Sequence, residues 1–197
     1  MSYQFDLVGK IGSMALIRKE DRDIDYNIFY RLGEELRPGM IWVTSGATEI
    51  GRLDYMKRTG CELCGDPEQD KADYSSQGQA ILMQNSRQFI RPEYGVRQIL
   101  VEHTHFNDPE KREHIRQLLE RAARQKTVPI INYNDPVSDE ENRKMELSAR
   151  RETGAEVHEC VDNDETAAVI AELVQARTLV LLTSTEGIYQ VPGDPST

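Results

Sequence analysis

The amino-acid sequence predicts an α/β fold built around a mostly parallel sheet. Short apolar runs of the kind that form buried strands lie at residues 3–11, 40–43, 96–101, 128–131 and 179–182. Segments with apolar residues at helical spacing separate most of these runs. When strands and helices alternate in this way, right-handed crossovers place the strands side by side and parallel.

Length and composition indicate a single cytoplasmic domain over residues 1–197. The chain is 38% apolar and 29% charged, and its formal charge of −10 argues against broad binding to nucleic acid or to an anionic membrane. No apolar run approaches the ~20 residues of a membrane span. Residues 1–4 lack the features of a signal peptide. The three cysteines are expected to stay reduced.

The first strand ends in Lys10-Ile11-Gly12-Ser13. Lys10 could remain a solvated lysine at the strand end, or it could contact phosphate oxygens beside the backbone of Gly12 and Ser13. Apolar residues at helical spacing predict a helix over residues 24–36, which Pro38-Gly39 ends.

The second strand stops at a small polar turn, Thr44-Ser45-Gly46-Ala47. A helix is predicted directly after it. A strand that leads through a glycine-containing turn into a helix offers backbone N–H groups to an anion. This turn is therefore a candidate binding site.

The polar segment 57–73 is predicted to be a loop or lid, and a long helix is predicted over residues 73–91. The loop contains Cys61 and Cys64, which could bind zinc together with His158 and Cys160 but fit ordinary loop thiols better. His103 and His105 follow the strand 96–101. Without an acidic or thiol partner nearby in sequence, they are interpreted as turn residues rather than metal ligands.

A helix is predicted over residues 110–125, followed by a strand that ends in Asn132-Tyr133-Asn134-Asp135. Polar residues at a strand's carboxyl end suit ligand binding in open α/β sheets, although an Asx turn would use the same residues. Segment 137–160 is charged and is predicted to be irregular, with at most a short helix. Asp162-Asn163-Asp164 then begins a helix that extends to about residue 175, where the carboxylates either cap the helix or serve a site.

The order of these blocks resembles the amino-acid kinase superfamily, and within it the glutamate 5-kinase family. The resemblance extends through nearly the whole chain. Its most specific parts are the turn Ser45-Gly46-Ala47 and the paired polar blocks 132–135 and 162–164. Further parts are the strand end at Lys10, a Gly78-Gln79 pair on a helix, and the segment 181–189.

The resemblance implies a three-layer αβα sandwich around a mostly parallel open sheet. It also implies ATP- and Mg²⁺-dependent phosphorylation of a carboxylate to an acyl phosphate, a place in proline biosynthesis, and a homo-oligomer. The expected partners are a small carboxylate substrate and ATP. No protein side chain is expected to be a metal ligand.

Site residues follow from the same resemblance. Lys10 would contact the transferring phosphoryl group and Asp164 would orient Lys10. The acceptor would be bound by Ser45, by the backbone N–H groups of Gly46 and Ala47, and by Asp135 and Asn163, which would hold its amino and carboxylate groups. The nucleotide would be bound by Lys10, Gly12, Ser13, Thr183 and Ser184.

The chain departs from the glutamate 5-kinase pattern at several positions. Tyr133 replaces Glu, Val161 replaces Gly, and Ser184 replaces Asp. The segment between Asp135 and Asp162 is about twice the expected loop length. The family pattern continues beyond an Asp-Pro pair with a Gly-rich segment bearing a second catalytic lysine. We therefore expect residues 1–177 to form the acceptor-binding part and residues 178–197 to begin a nucleotide-binding part that is incomplete.

Two alternatives to a carboxylate kinase are considered. One is a non-catalytic relative that binds a ligand or supports assembly. The other is a kinase with a phosphate acceptor, like the uridylate or isopentenyl phosphate kinases. A phosphate acceptor is disfavoured because Arg52 is the one basic residue near the turn at residues 45–51.

Overall fold

Five parallel strands form the central sheet of the computed structural model, which describes residues 5–183 apart from 19, 139, 153, 155, 156, 159 and 161. In spatial order the strands are β5 (Gly95–Val101), β6 (Thr127–Tyr133), β4 (Met40–Thr44), β1 (Leu7–Ile11) and β7 (Leu179–Leu182). Every pairing in this sheet is parallel. A short antiparallel ribbon joins β2 (Ile17–Arg18) to β3 (Asp23–Ile24).

Helices cover both faces of the sheet. One face carries α1 (Tyr26–Glu35), α2 (Ala47–Thr59) and α3 (Pro67–Phe89). The other face carries α4 (His103–Asn107), α5 (Pro109–Arg124) and α7 (Asn163–Leu173), while α6 (Glu140–Glu152) adjoins α4. Short 3-10 helices span Ser13–Leu16 and Asp135–Val137. The predicted three-layer αβα sandwich around a mostly parallel sheet is confirmed.

Two apolar clusters form the core, one on each face of the sheet. Along β4, Ile41 and Val43 join the cluster under α5 and α7, whereas Trp42 joins the cluster under α1, α2 and α3. This alternation follows from the period of two in a strand. Lys10 pairs in register with Val43 and therefore lies on the α7 face.

Helices α2 and α3 pack with their backbones in contact. A Cβ on Gly78 would overlap the carbonyl oxygen of Ala47, and a Cβ on Gly51 would overlap that of Tyr74. Only glycine permits this close approach. The packing fixes the first turn of α2, which begins at Ala47, against the middle of α3.

Three sequence predictions of local structure are corrected. Helix α3 begins at Pro67, capped by Asp66, so part of the predicted loop over residues 57–73 is helical. A 13-residue helix, α6, lies within the segment predicted to be irregular. His103 and His105 lie in α4 rather than in a turn. In α3 and α6 most polar residues cover the exposed side of the helix, which composition alone does not distinguish from a loop. In α4, by contrast, His103 is buried.

The zinc alternative is also wrong for the residues that it named. Cys61 and Cys64 are exposed in the connection between α2 and α3, whereas Cys160 is buried on the far face of the sheet. Within residues 5–183, where described, no three potential ligands converge on a common point. Among the same residues, no helix has the length and apolar composition needed to cross a membrane.

Candidate active site

The carboxyl ends of the parallel strands meet at one edge of the sheet and define the candidate site. Gly12 follows β1, Ser45 follows β4, Asn134 follows β6 and Thr183 follows β7. Open α/β sheets bind ligands at this edge, outside the strand ends. The order of the strands therefore brings together residues that are far apart in sequence.

A buried lysine at the end of β1 forms the charged centre of this edge. Lys10 is only 8% exposed. Its Nζ lies 2.8 Å from Oδ1 of Asp164, whose side chain is 51% exposed. A buried ammonium needs an anionic partner, and Asp164 supplies it from the first turn of α7. Gly12 lies beside the same ammonium, since a Cβ there would be 3.8 Å from Lys10 Nζ.

The two aspartates at the start of α7 have different roles in the structure. Asp162 caps the helix, because its Oδ1 accepts 2.8 Å hydrogen bonds from the backbone N–H groups of Asp164 and Glu165. The side chain of Asp164 takes no part in that cap and pairs with Lys10. Helix capping therefore explains the carboxylate of Asp162, whereas the carboxylate of Asp164 is left for the candidate site.

A chain of side-chain amides holds the start of α7 against β6 and α3. Asn163 Oδ1 accepts a 3.0 Å hydrogen bond from the backbone N–H of Tyr133. Asn163 Nδ2 donates to Asn132 Oδ1 at 3.0 Å, and Asn132 Nδ2 donates to Gln79 Oε1 at 2.8 Å. The chain of contacts fixes Asn163, and with it the neighbouring Asp164, relative to the sheet. Asn163 was predicted to bind the acceptor substrate. In the structure its side chain forms hydrogen bonds to Tyr133 and Asn132.

The chain after β4 passes through a glycine-containing turn directly into a helix, as the sequence predicted. Gly46 adopts a φ of 103° and is the N-cap of α2 without any side-chain cap. A Cβ at this position would be strained and would approach Cδ1 of Leu16 to 2.9 Å. The backbone N–H of Ser45 donates to the Ile11 carbonyl at 3.1 Å. The N–H groups available for an anion are therefore those from Gly46 into the first turn of α2.

Asp135 has a partner that the sequence analysis missed. Lys71 Nζ lies 2.9 Å from Asp135 Oδ1, and the two side chains are 57% and 20% exposed respectively. Lys71 lies near the start of α3, in the stretch predicted to be a loop. The sequence therefore could not predict which way the Lys71 side chain points. Asp135 itself opens the 3-10 helix that follows β6.

The two histidines of α4 serve the structure rather than the site. His103 is buried and its Nε2 lies 2.8 Å from Oε2 of Glu146 on α6. His105 Nδ1 accepts a 2.9 Å hydrogen bond from the backbone N–H of Glu102 and so caps α4. Both side chains are engaged by neighbouring helices or turns.

The predicted nucleotide residues lie along β1 and β7. The backbone N–H of Gly12 donates to the Leu182 carbonyl at 3.1 Å, and Ser13 begins the 3-10 helix. Thr183 lines a cavity of about 460 Å³ between β7 and α1. Ser184 lies outside the described residues.

The strands and helices define a three-layer sandwich whose candidate binding residues lie at the carboxyl edge of the sheet. A solved structure with the same fold is that of an isopentenyl phosphate kinase, with a TM-score of 0.51 and 12% identity, covering 93% of this chain and 73% of that one. At this identity the similarity concerns the fold alone.

Sequence comparison identifies the family. The profile of the amino acid kinase family matches residues 7–196, and the chain belongs to that family. The chain is 34% identical over 160 residues to a glutamate 5-kinase of Symbiobacterium thermophilum, covering 79% of this chain and 52% of the relative. It is 30% identical over 205 residues to glutamate 5-kinase 2 of Bacillus subtilis, covering 97% of this chain and 47% of that protein.

A plant protein shares the same region. The delta-1-pyrroline-5-carboxylate synthase 1 of Oryza sativa is 28% identical over 197 residues, covering 96% of this chain and 25% of its own length. The chain spans about half the length of the glutamate 5-kinases that it matches. The resemblance predicted from the sequence motifs is confirmed.

Proposed function

We propose that the chain belongs to an ATP-dependent kinase that phosphorylates a carboxylate of a small acid such as glutamate, and that residues 1–177 form its acceptor-binding part. The product would be an acyl phosphate. The observation that supports this best is the buried Lys10 paired with Asp164 beside an uncapped helix start. The similarity to glutamate 5-kinases supports glutamate as the first acceptor to test.

Phosphoryl transfer between two anions needs positioning and charge neutralisation more than covalent chemistry. A carboxylate is ionised at pH 7 and is already a nucleophile, so the reaction needs no general base. The protein must instead hold the acceptor carboxylate and the terminal phosphate of ATP in contact. Cationic side chains and backbone N–H groups at the strand edge suit this task.

Each element at the strand edge has a part in the proposed reaction. The N–H groups from Gly46 and Ala47 onward would bind the acceptor carboxylate. Lys10 would neutralise charge on the phosphoryl group during transfer. Asp164 would orient Lys10. Gly12, Ser13 and Thr183, with Ser184, would lie on the nucleotide side.

Magnesium is proposed to bind mainly through the nucleotide. The described residues bring no three acidic or histidine side chains together, and Asp164 is already paired with Lys10. Mg²⁺ that keeps several waters and binds phosphate oxygens needs few protein ligands, so this site fits such an ion. When bound, Mg²⁺ would supply further charge neutralisation.

Substitution of the central ion pair tests the proposal. We expect Lys10→Ala and Asp164→Ala each to lower the rate of ADP formation with glutamate, ATP and Mg²⁺ by about 100-fold or more. Acyl phosphate would be trapped with hydroxylamine in the same reactions. Circular dichroism would check that the fold is kept.

Lys57→Ala is the matched control, because Lys57 forms a 2.6 Å ion pair with Asp23 away from the strand edge. Its rate should equal that of the wild type. Wild-type rates in Lys10→Ala would refute the assigned role. If the wild-type protein turned over neither glutamate nor a panel of other small acids, the kinase proposal would fail and the non-catalytic alternative would be favoured.

A further inference from the structure

The connection between α2 and α3 carries two cysteines that the proposed reaction does not use. Cys61 and Cys64 are three positions apart, and both are exposed. The connection is short, since α2 ends at Thr59 and α3 begins at Pro67. Two accessible thiols so close together in one short connection are able to react with each other as well as with solutes.

In the structure the two thiols are free and are directed to different partners. Cys61 Sγ lies 3.8 Å from Oγ1 of Thr59, and Cys64 Sγ lies 3.6 Å from the carbonyl oxygen of Glu62. Within the connection, all of whose residues are described, no backbone hydrogen bond closes a turn from Cys61 to Cys64. A disulfide needs its two Cα atoms about 5.5 Å apart and its side chains facing each other. A bond between these thiols therefore forms only when residues 61–64 rearrange.

The two residues between the cysteines attach the connection to the neighbouring helices. The backbone N–H of Leu63 donates to Oη of the buried Tyr74 on α3 at 2.6 Å. The carboxylate of Glu62 pairs with Arg52 on α2 at 2.5 Å. A rearrangement of residues 61–64 moves both of these residues, so it acts directly on the contacts that hold the connection in place.

The third cysteine of the chain has the opposite surroundings. Cys160 is 1% exposed, and burial raises the pKa of its thiol to about 12. The thiolate is the reactive form of cysteine, so Cys160 stays an unreactive thiol near neutral pH. It lies on the other face of the sheet and serves as an internal reference for the two exposed thiols.

We propose that Cys61 and Cys64 form a reversible disulfide, and that this bond is a redox-sensitive switch of the α2–α3 connection. In the reduced state, Leu63 and Glu62 hold the connection to α3 and α2. In the oxidised state, the tighter turn between the cysteines releases Leu63 from Tyr74 and Glu62 from Arg52. The inference concerns the connection alone and does not depend on the kinase proposal.

The oxidant is a low-molecular-weight disulfide, for which glutathione disulfide is the probe. The thiolate of one cysteine attacks it, forms a mixed disulfide and displaces one glutathione thiolate. The thiolate of the other cysteine then attacks the protein sulfur of the mixed disulfide. The internal S–S bond forms while the bond to the second glutathione breaks. Two protein thiols are oxidised, one glutathione disulfide is reduced, and the two released glutathione thiolates take up the two protons.

Mass spectrometry after incubation in glutathione buffers of rising oxidised fraction tests the bond itself. We expect the peptide that carries Cys61 and Cys64 to lose two hydrogen masses, and dithiothreitol to restore them. Cys160 should be alkylated by iodoacetamide only after unfolding. Cys61→Ser and Cys64→Ser should each stop at the reduced form or at the mixed disulfide. Wild-type protein that carries glutathione on both exposed cysteines, with no internal bond in any buffer, would overturn the proposal.

The equilibrium constant for oxidation tests the switch. If the disulfide breaks the contact between Leu63 and Tyr74, then Tyr74→Phe lacks that contact beforehand and should be oxidised more readily. We expect the constant to rise about fivefold, as for one hydrogen bond. Glu62→Gln, a change at an exposed residue, should shift it in the same direction by up to about fivefold.

Tyr30→Phe is the matched control, because Tyr30 is 55% exposed on α1 and loses the same hydroxyl away from the connection. Its equilibrium constant should equal that of the wild type. A merely structural role of Tyr74 would lower the stability of the fold without changing this constant. If Tyr74→Phe and Glu62→Gln are both oxidised as the wild type is, the disulfide leaves the contacts intact and the switch is wrong.

Discussion

Lys10 is the residue whose environment differs most from what its type favours. Lysine is rarely buried, because removing an ammonium from water is costly unless an anion accompanies it. The first turn of α7 supplies Asp164, and the amide chain through Asn163 fixes that turn against β6. Removing Asp164 would therefore leave a buried charge without its partner. This is the reason to expect a large effect on the site from a change at a half-exposed carboxylate.

The pair between Asp23 and Lys57 predicts a pH dependence of stability. The hydrogen bond from Lys57 holds the pKa of the Asp23 carboxyl below its usual value. Asp23 thus stays charged in the folded protein at pH values where the unfolded chain is already protonated. The pair contributes stability above about pH 4, and this contribution is lost as the pH falls through the folded-state pKa.

Comparison of the wild type with Asp23→Asn by urea unfolding measures this contribution. Because the pair is partly exposed, we expect it to be worth no more than about 1 kcal/mol at pH 7. At pH 3 the difference between the two proteins should shrink. A difference that grows towards acid pH would contradict the assignment.

At the scale of single residues, the sequence pointed to the candidate site only where a motif carried the information. Lys10, Gly46 and Asp164 stood in blocks that resemble a family, and the structure places all three at one edge of the sheet. Lys71 stood in a charged stretch without a motif. The direction of its side chain depends on the first turns of α3, which was predicted to begin only at residue 73, so no pattern in the sequence could relate Lys71 to Asp135.

Helices α2 and α3 behave as one element because glycine lets their backbones touch. We expect Gly78→Ala to lower the free energy of unfolding by about 1–3 kcal/mol or more, since the new methyl group overlaps the Ala47 carbonyl. It should also weaken acceptor binding, because Ala47 begins α2. Chemical denaturation and calorimetry would measure the two effects.

Ser76→Ala on the exposed side of α3 is the control for this substitution. It removes a hydroxyl that bonds to the Ala72 carbonyl of its own helix. Its stability should stay within about 0.5 kcal/mol of the wild type. Equal stability of Gly78→Ala and the wild type would show that the helices can separate without cost.

Strands were predicted better than helices for a physical reason. A strand buried on both faces is a short apolar run, as in β1, β4 and β6, and the outer strands β5 and β7 are apolar runs as well, so all five runs became strands of the sheet. Helices α3 and α6 have wide polar faces, and α3 begins with Pro67 directly after a glycine-containing segment. Proline at a first helical position and proline in a loop give the same local sequence. Tertiary packing decides between them.

At the scale of the whole molecule, β7 is the outer strand of the described sheet and is unusually apolar. Leu179, Leu181 and Leu182 are 39%, 46% and 40% exposed. An exposed edge strand of this kind favours pairing with another chain. We predict that residues 1–197 studied on their own self-associate through this edge, which the described residues leave uncovered.

Light scattering after size exclusion would measure the mass of the wild type and of Leu181→Lys. The charge should lower the associated fraction, because edge lysines disfavour strand pairing. Met145→Lys is the control, since Met145 is equally apolar and is 67% exposed on α6. The prediction is wrong if Met145→Lys dissociates the protein and Leu181→Lys does not.

The contact between Gly46 and Leu16 has a thermodynamic consequence. The turn at Gly46, which would bind the acceptor, packs against the 3-10 helix Ser13–Leu16, whose first residue is predicted to bind the nucleotide. The backbone N–H of Ser45 also donates to the carbonyl of Ile11, at the end of β1. A nucleotide that orders one turn would order the other. We therefore expect the nucleotide to tighten binding of the acceptor and the acceptor to tighten binding of the nucleotide. By linkage, both affinities should improve by the same factor. Titrating glutamate with and without saturating nucleotide, and then the reverse, would measure the two factors.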